Sequence, residues 1–452
     1  MDFITPEVKL VEEEIKNVNI NRQVLKINKI HSDISEFYKL PLTERQNQLA
    51  RMLNLDQDDH DLLKNLGYLT KSQIDTMIEN VVGSYQLPLG IALNFKINGT
   101  DYIIPMVIEE PSVVAAASNA AKIARKHGGF QSDKVESIMI SQIQIIGLKN
   151  IESSREKLIK NKEKILKIAN EQDPMLYKLG GGAIDIEIRD LNTRKGPMLI
   201  VHLHVNVLDA MGANIVNTMA EAISPFIEDI SDGKVNLRIV TNLAIKRVVR
   251  CKAVFDKDML GGEEVIEGIL NAYEFALADP YRAATHNKGI MNGIIALTLA
   301  TGNDTRAIEA GAHAYASLTG QYSPLTTFRL DLDGNLLGEI QLPLALGIIG
   351  GITNIHPMAR LALRILRVKS AEELSQVAAA LGLAQNVAAL RALAAEGIQK
   401  GHMALHSRNI AKIAGVPDNL IEKVANLLVK EKKIRVDYAK EILKRISEGE
   451  KL

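Results

Sequence analysis

Apolar and polar positions change period several times along the chain, and each change marks an element. Between residues 89 and 108 they alternate around Asn98-Gly99, which predicts a two-stranded hairpin over 89–97 and 102–108. A second alternation, 327–332 and 336–342, turns at Asp333-Gly334. Residues 136–241 read as a separable unit: strand 137–146, a long charged helix 153–172, strands 183–189 and 198–207, helix 212–230 and strand 235–240. That order, βαββαβ, is the ferredoxin-like arrangement, with an antiparallel sheet and both helices on one face.

Helical spacing governs most of the remainder. Residues 43–53 and 58–66 form short amphipathic segments, the second closed by Gly67. Ser72 stands as the N-cap of a helix running to Asn80, and an Ala-rich helix over 113–126 ends at Gly128-Gly129. From about Leu243 helical character returns over 263–277, 288–300 and 304–317, and later over 356–366, 370–380, 384–395 and 398–414. Two charged helices, 419–431 and 436–448, follow, and residues 1–30 read as a charged extension. The expected class is therefore α+β: a mainly helical large domain with β-hairpin elements, interrupted by the ferredoxin-like insertion.

Composition narrows the function classes. A chain of 452 residues exceeds one ordinary core, so two or three domains are expected. Apolar residues at 46% and charged residues at 24% are globular values, and a net charge of zero gives no footprint for nucleic acid or an anionic membrane. No run of 18 apolar residues occurs and the N-terminus lacks a basic-then-apolar leader, so a soluble cytoplasmic protein is expected. The single cysteine, Cys251, excludes an intramolecular disulfide and a Cys-rich metal site.

The candidate chemistry is concentrated in Asp279-Pro280-Tyr281-Arg282 through His286-Asn287-Lys288-Gly289 and on to Gly302-Asn303-Asp304. This stretch is too polar for a core and too punctuated by Gly and Pro for a plain amphipathic helix. It reads as a turn opening a new element, either a solvated loop or a site. Lys288 and Asp304 stand at the edges of apolar, Ala-rich runs, where an acid and a base can perturb each other. Neither a Rossmann fingerprint nor a P-loop is present. Asp209-Ala210-Met211-Gly212-Ala213-Asn214 follows a strand and opens a helix, so it can meet a pyrophosphate with backbone amides, or Asp209 can be a plain N-cap. His402 and His406 are one helical turn apart, but without a glutamate after His402 they make no zinc motif, and no metal is expected. Glu110, beside Pro111, can equally be a capping carboxylate for the next helix.

Taken together, these motifs resemble the hydroxymethylglutaryl-coenzyme A reductase family, specifically its bacterial-type second class. The resemblance runs through Met77-Ile-Glu79-Asn80-Val-Val-Gly83, Glu109-Glu110-Pro111-Ser112, Asp209 to Asn214 with Asn217, Asn242, Asp279 to Gly293, Gly302-Asn303-Asp304 and Gly401 to Asn409. It covers roughly residues 40–430; Ile215 stands where the family usually has threonine, and residues 1–30 fall outside it.

The resemblance implies reduction of hydroxymethylglutaryl-coenzyme A to mevalonate plus coenzyme A in two hydride transfers. It implies Lys288 as the cation at the carbonyl oxygen, Asp304 as the carboxylate orienting that cation, and Glu110 as a proton source. It also implies His402 as the acid for the departing thiolate, Arg282 and Ser112 as ligands of the substrate carboxylate, and Asn242 as a substrate-site residue completing the hydrogen-bond network of Lys288, Asp304 and Glu110. Asp209, Ala210, Met211, Gly212, Ala213 and Asn214 would be the dinucleotide segment. Asp173 would favour NAD(H) over NADP(H) by accepting from a ribose 2′-hydroxyl. The implied division is a substrate and coenzyme A domain made of 31–135 and 242–396, a nucleotide-binding insertion at 136–241 and a closing helical flap at 397–452. The implied assembly is a homodimer with a shared active site, in some members a hexamer. A non-reducing coenzyme A thioester hydrolase or binding protein on the same scaffold, or an NADP(H)-dependent biosynthetic form, are the alternatives.

Overall fold

The structure is a computed structural model that describes residues 37–53, 55–395 and 398–447; the side chains of Tyr38 and of residues 398–405 lie outside the description. The expected extension at 1–30 lies outside it as well. Contacts divide the chain into Met1–Gln86 and Leu87–Leu452.

In the first unit, helices Leu42–Leu53, Gln57–Lys64 and Lys71–Asp75 enclose a small core of Leu42, Ile74 and Val81. The third helix begins earlier than expected. Thr70, not Ser72, is its N-cap, and Gln73 completes a reciprocal capping box that satisfies two backbone donors. The helix then stops at Asp75, well short of Asn80, whose φ of 53° is left-handed. Arg45, 2% exposed, is ion-paired with Asp75.

The second unit runs β1 (Leu89–Ile97), β2 (Thr100–Val107), α1 (Val113–Arg125), β3 (Phe130–Ser132), β4 (Ile138–Ile146), α2 (Ile151–Lys160) and α3 (Lys162–Asn170). It continues through β5 (Gly182–Thr193), β6 (Gly196–Asn206), α4 (Ala213–Ser231), β7 (Lys234–Val240), β8 (Val248–Phe255), α5 (Glu263–Ala278) and α6 (Pro280–Ala300). Then come α7 (Thr305–Ala316), β9 (Thr326–Leu330), β10 (Leu336–Pro343), α8 (Ala371–Ala395) and α9 (Ile398–Ile413). Short helices such as Pro174–Lys178 and Pro357–Leu366 fill the connections.

Both hairpins form, but they belong to one six-stranded sheet of order β2-β1-β3-β8-β10-β9. Strands β3 and β8, which join them, are absent from the sequence reading. The β8 pattern was present nonetheless: Val249, Cys251, Ala253 and Phe255 point inward while Arg250 and Lys252 point out.

Residues 138–240 form the expected four-stranded antiparallel sheet, in the order β5-β6-β4-β7. Its inward residues, among them Ile143, Val201, Leu203 and Val205, pack beneath Leu158, Ile165, Val216, Met219 and Ile223 of the helices. The long charged helix is split at Asn161, whose side-chain amide donates to the Lys157 carbonyl at 2.8 Å. That local bond competes with the helical ladder.

The expected pair of helices at 370–395 is one, α8, of 25 residues. Among the described residues it is the one helix long and apolar enough to cross a membrane, with a mean hydropathy of 1.5, and 67% of that window is buried inside the protein. It is a core helix. α6 crosses it through small residues: a side chain on Gly293 would stand 3.1 Å from Leu381 Cγ and 3.2 Å from the Leu381 carbonyl, and one on Gly382 would stand 2.8 Å from Ile294. Such approach brings the two helices together so closely that an added methyl on either face would have to displace its neighbours. Gly293→Val should therefore overpack this crossing and cost about 1–3 kcal/mol. Denaturant unfolding should show a lower midpoint at unchanged slope; an unaltered midpoint would mean the crossing is loose.

Candidate active site

The polar stretch that reads as a turn or loop is the first half of α6. Pro280 takes the first helical position, where its missing N–H costs nothing, and Asp279 accepts from the amides of Tyr281 and Arg282. Its helical period was hidden by polar residues on the buried side. His286 and Asn287 are 1% and 0% exposed. Asn287 bonds the backbone of Ser323 and Leu325, at 2.9 and 3.0 Å. His286 Nε2 donates to Thr326 Oγ1 at 2.6 Å, and Thr326 in turn donates to Asn386 Oδ1 of α8 at 2.9 Å. The amide of Asn386 returns to the His286 carbonyl at 3.2 Å. These three side chains lock α6 to β9 and α8, and the sequence reading assigned none of them a role.

Lys288 projects from the opposite, exposed side of this locked turn. Its ammonium lies 2.9 Å from Glu110 Oε2, a residue 178 positions earlier in the turn between β2 and α1. Glu110 is thus an ion-pair partner and not a helix cap. Ser112, two residues on, has a left-handed φ of 76°, rare outside glycine, and a buried hydroxyl with no hydrogen-bond partner. Strain beside an unsatisfied polar atom is a common mark of a ligand site. Arg282 lies about 9 Å along the α6 axis from Lys288. It is half-buried with no carboxylate partner among the described residues, and burial lowers its pKa.

Asp304 is not brought to Lys288. Its carboxylate caps α7 through the amides of Arg306 and Ala307 and pairs with the Arg306 guanidinium at 3.1 Å. Asn242 is exposed near the start of the loop after β7, its carbonyl lying 2.5 Å from where a side chain on Gly311 of α7 would sit. The His402 side chain lies outside the described residues, on α9.

The Asp209–Asn214 segment is held from several directions. Asp209 does not cap the helix that follows it: its carboxylate accepts from Ala371 N, the first amide of α8, at 2.8 Å. α4 begins instead at Gly212, φ 99°, and has no side-chain cap, so its first amides are available to an anion. Ala210 bridges to Ile349, and the Ile348 amide donates to the Asp209 carbonyl at 3.0 Å. A side chain on Gly347 would stand 2.4 Å from the Met211 nitrogen. Asn303 clasps that same Gly347, donating to its carbonyl at 3.0 Å and accepting from its amide at 2.8 Å.

Arg247 completes the frame. Buried to 1% exposure, it donates to the carbonyls of Ala210 and Met211 at 3.2 Å and to that of Leu346; burial pulls its pKa down to about 10, with Asp209 opposing. Nothing in the sequence marked it. Asp173 caps the short helix Pro174–Lys178, accepting from Leu176 N at 2.8 Å. The glycines after that helix pack beside Asn206, three residues before Asp209.

A model of the hydroxymethylglutaryl-coenzyme A reductase family matches residues 41–407. The chain belongs to that family. It is 56% identical to the 3-hydroxy-3-methylglutaryl-coenzyme A reductase of Archaeoglobus fulgidus over 433 residues, covering 95% of this chain and 99% of the relative. Among solved structures it is similar to the class II reductase of Streptococcus pneumoniae bound to NADPH in open conformations. There the TM-score is 0.72 at 39% identity, over 89% of this chain and 99% of the other. A second structure of the pneumococcal reductase gives 0.72 at 38% identity, over 91% and 99%. The family's second class and its mixed α+β fold, as expected from the motifs, are therefore those of this chain.

Within this reductase fold, the buried His286 has a consequence for stability. Burial, with Arg282 adding to it, lowers its pKa from 6.5 to about 3. Between those values the unfolded chain binds a proton that the native chain does not, so stability falls as pH falls through that window and is flat above it. His286→Asn should flatten the slope, by at most about 1.4 kcal/mol per pH unit. Urea unfolding of both proteins across this range checks it; parallel curves would contradict the assignment.

Proposed function

We propose that the chain reduces hydroxymethylglutaryl-coenzyme A to mevalonate and coenzyme A, reversibly, using a nicotinamide dinucleotide for two hydride transfers. The observation that carries this reading is the Lys288–Glu110 pair at 2.9 Å, a cation and a carboxyl group joined across 178 residues at one exposed point. Lys288 stabilises negative charge at the substrate carbonyl oxygen as hydride arrives, and Glu110 delivers the proton that the alcohol requires. The substrate oxygen enters between them and breaks the direct pair. Ser112, with its unpartnered hydroxyl, and Arg282, with no acid of its own, hold the substrate carboxylate. In this reading Asn242, in the loop after β7, and Asp304, the cap of α7, complete the site, with Asp304 leaving Arg306 for Lys288 when the substrate is bound. His402 protonates the thiolate: an imidazolium is a competent acid for a thiol.

The nucleotide supplies the hydride, and the residues present suit its phosphates. Gly212 and the uncapped amides of Ala213 and Asn214 form an anion-binding helix start. Ala210 and Met211 are fixed by Arg247, and Asp209 anchors the segment to α8. We assign residues 136–241 to nucleotide binding, 31–135 with 242–396 to substrate and coenzyme A, and 397–452 to closure over the site. A homodimer with shared sites, or a hexamer built from it, follows from the same family reading. The pneumococcal relative is bound to NADPH. Here one oxygen of Asp173 is spent on capping, and the other has no hydrogen bond among the described residues, which leaves it for a ribose 2′-hydroxyl. A carboxylate there repels a 2′-phosphate, so NAD(H) is the cofactor of this reading.

Two experiments test it. Lys288→Ala should slow NADH oxidation with the thioester, and equally with mevaldehyde, by about 10²–10³. His402→Gln should spare mevaldehyde reduction while losing the thioester reaction. Thiol release without nicotinamide turnover would point to a hydrolase instead. For cofactor choice, Asp173→Asn retains a capping side chain and removes the charge. The NADH-over-NADPH ratio of kcat/KM should narrow; an unchanged ratio would remove Asp173 from the site.

A further inference from the structure

Strand β6 carries two histidines that the reductase chemistry does not use. His202 and His204 are two residues apart, so both leave the strand on the same face. That face is opposite Val201, Leu203 and Val205, which lie under the helices. Across the ladder, β5 sets Glu187 against His202 and Asp185 against His204, and β4 sets Gln142 against His202. Glu187, His202 and His204 each present one ligand-capable atom, all within 4.8 Å of one another. The two imidazoles are 8% and 6% exposed. Nε2 of His204 is buried with no hydrogen-bond partner among the described residues and lies 3.7 Å from Glu187 Oε2, too far for a hydrogen bond. A buried nitrogen left in this state is one that native proteins normally satisfy.

We propose that Glu187, His202 and His204 bind a divalent transition-metal ion, with zinc the best fit. Two imidazole nitrogens and one carboxylate oxygen are a recognised three-ligand zinc set, with the fourth position open to water. Two nitrogen donors in three disfavour calcium and magnesium, which take oxygen ligands. Metal–ligand bonds of about 2.0–2.2 Å require the three side chains to close on the ion from their present spacing. Coordination through His202 Nε2 displaces the Gln142 amide, which donates to it at 3.0 Å. Burial lowers both pKa values, with Arg189 adding to it at His202 and Lys246 at His204. Asp185, the other carboxylate on this face, is held by Lys162 at 2.6 Å and stays out of the set. The ion would tie the edge strand β5 to β6, the strand that leads to Asp209.

The test uses the tag-free, chelator-treated full chain. Calorimetric titration with zinc chloride, and cobalt titration followed by visible absorption, should each give one ion per chain. Zinc should also raise the melting temperature. Glu187→Gln, a near-isosteric change at a half-exposed position, and His204→Gln should weaken binding by roughly tenfold or more and abolish the melting shift. Their melting temperatures without metal establish that both fold. Absence of stoichiometric binding, or binding of unchanged affinity in both variants, would overturn the proposal.

Discussion

The crossing of α6 on α8 is the constraint on which the rest depends. Gly293 and Gly382 let two apolar helices meet at backbone distance, and Gly289 stands 3.7 Å from Ala389 by the same measure. Lys288 immediately precedes Gly289, one turn before Gly293. Its Cα position and the direction of its stem are therefore set by close packing, which does not deform continuously. The His286–Thr326–Asn386 bonds fix the rotation of α6 about its own axis, so the lysine emerges on the side where Glu110 arrives. α8 has the composition of a membrane span and instead serves as the rod against which the site is built.

The same rod receives the segment proposed to bind the nucleotide. Asp209 caps its first residue, and Arg247, Gly347 and Asn303 tie Ala210 and Met211 to the loop at 346–349. Asn303 is adjacent to Asp304, the cap of α7. One set of short polar contacts thus places the anion-binding helix start, the α7 terminus and, through α8, the lysine helix in a common frame. The proposed hydride transfer needs reacting atoms held to within a fraction of an ångström, and such a frame joins the pieces rigidly without a continuous strand or helix between them.

Local patterns were legible because their physics is local. The Asn98-Gly99 hairpin and the βαββαβ order follow from period and turn chemistry, and both stand in the structure. Long-range pairing was not legible. Strands β3 and β8 join two hairpins that the sequence presents as separate, and the three-residue β3 has no period to read. α6 was obscured because its buried face carries His286 and Asn287, polar groups satisfied by partners far along the chain. At the candidate site, residue types and motif order singled out Glu110 and Lys288, which the fold brings into contact. The partner of each carboxylate was not identifiable: Asp304 turns to Arg306 and Asp209 to α8, choices made by tertiary geometry.

The central claim is that Lys288 and Glu110 work as one unit in hydride transfer. A double-mutant cycle of single-turnover NADH oxidation with the thioester tests it most directly, using Lys288→Ala, Glu110→Gln and the two combined. If the pair acts together, the double variant should be about as slow as the slower single variant, because each change already disables the unit. Losses that multiply, with no coupling between the two positions, would contradict the account.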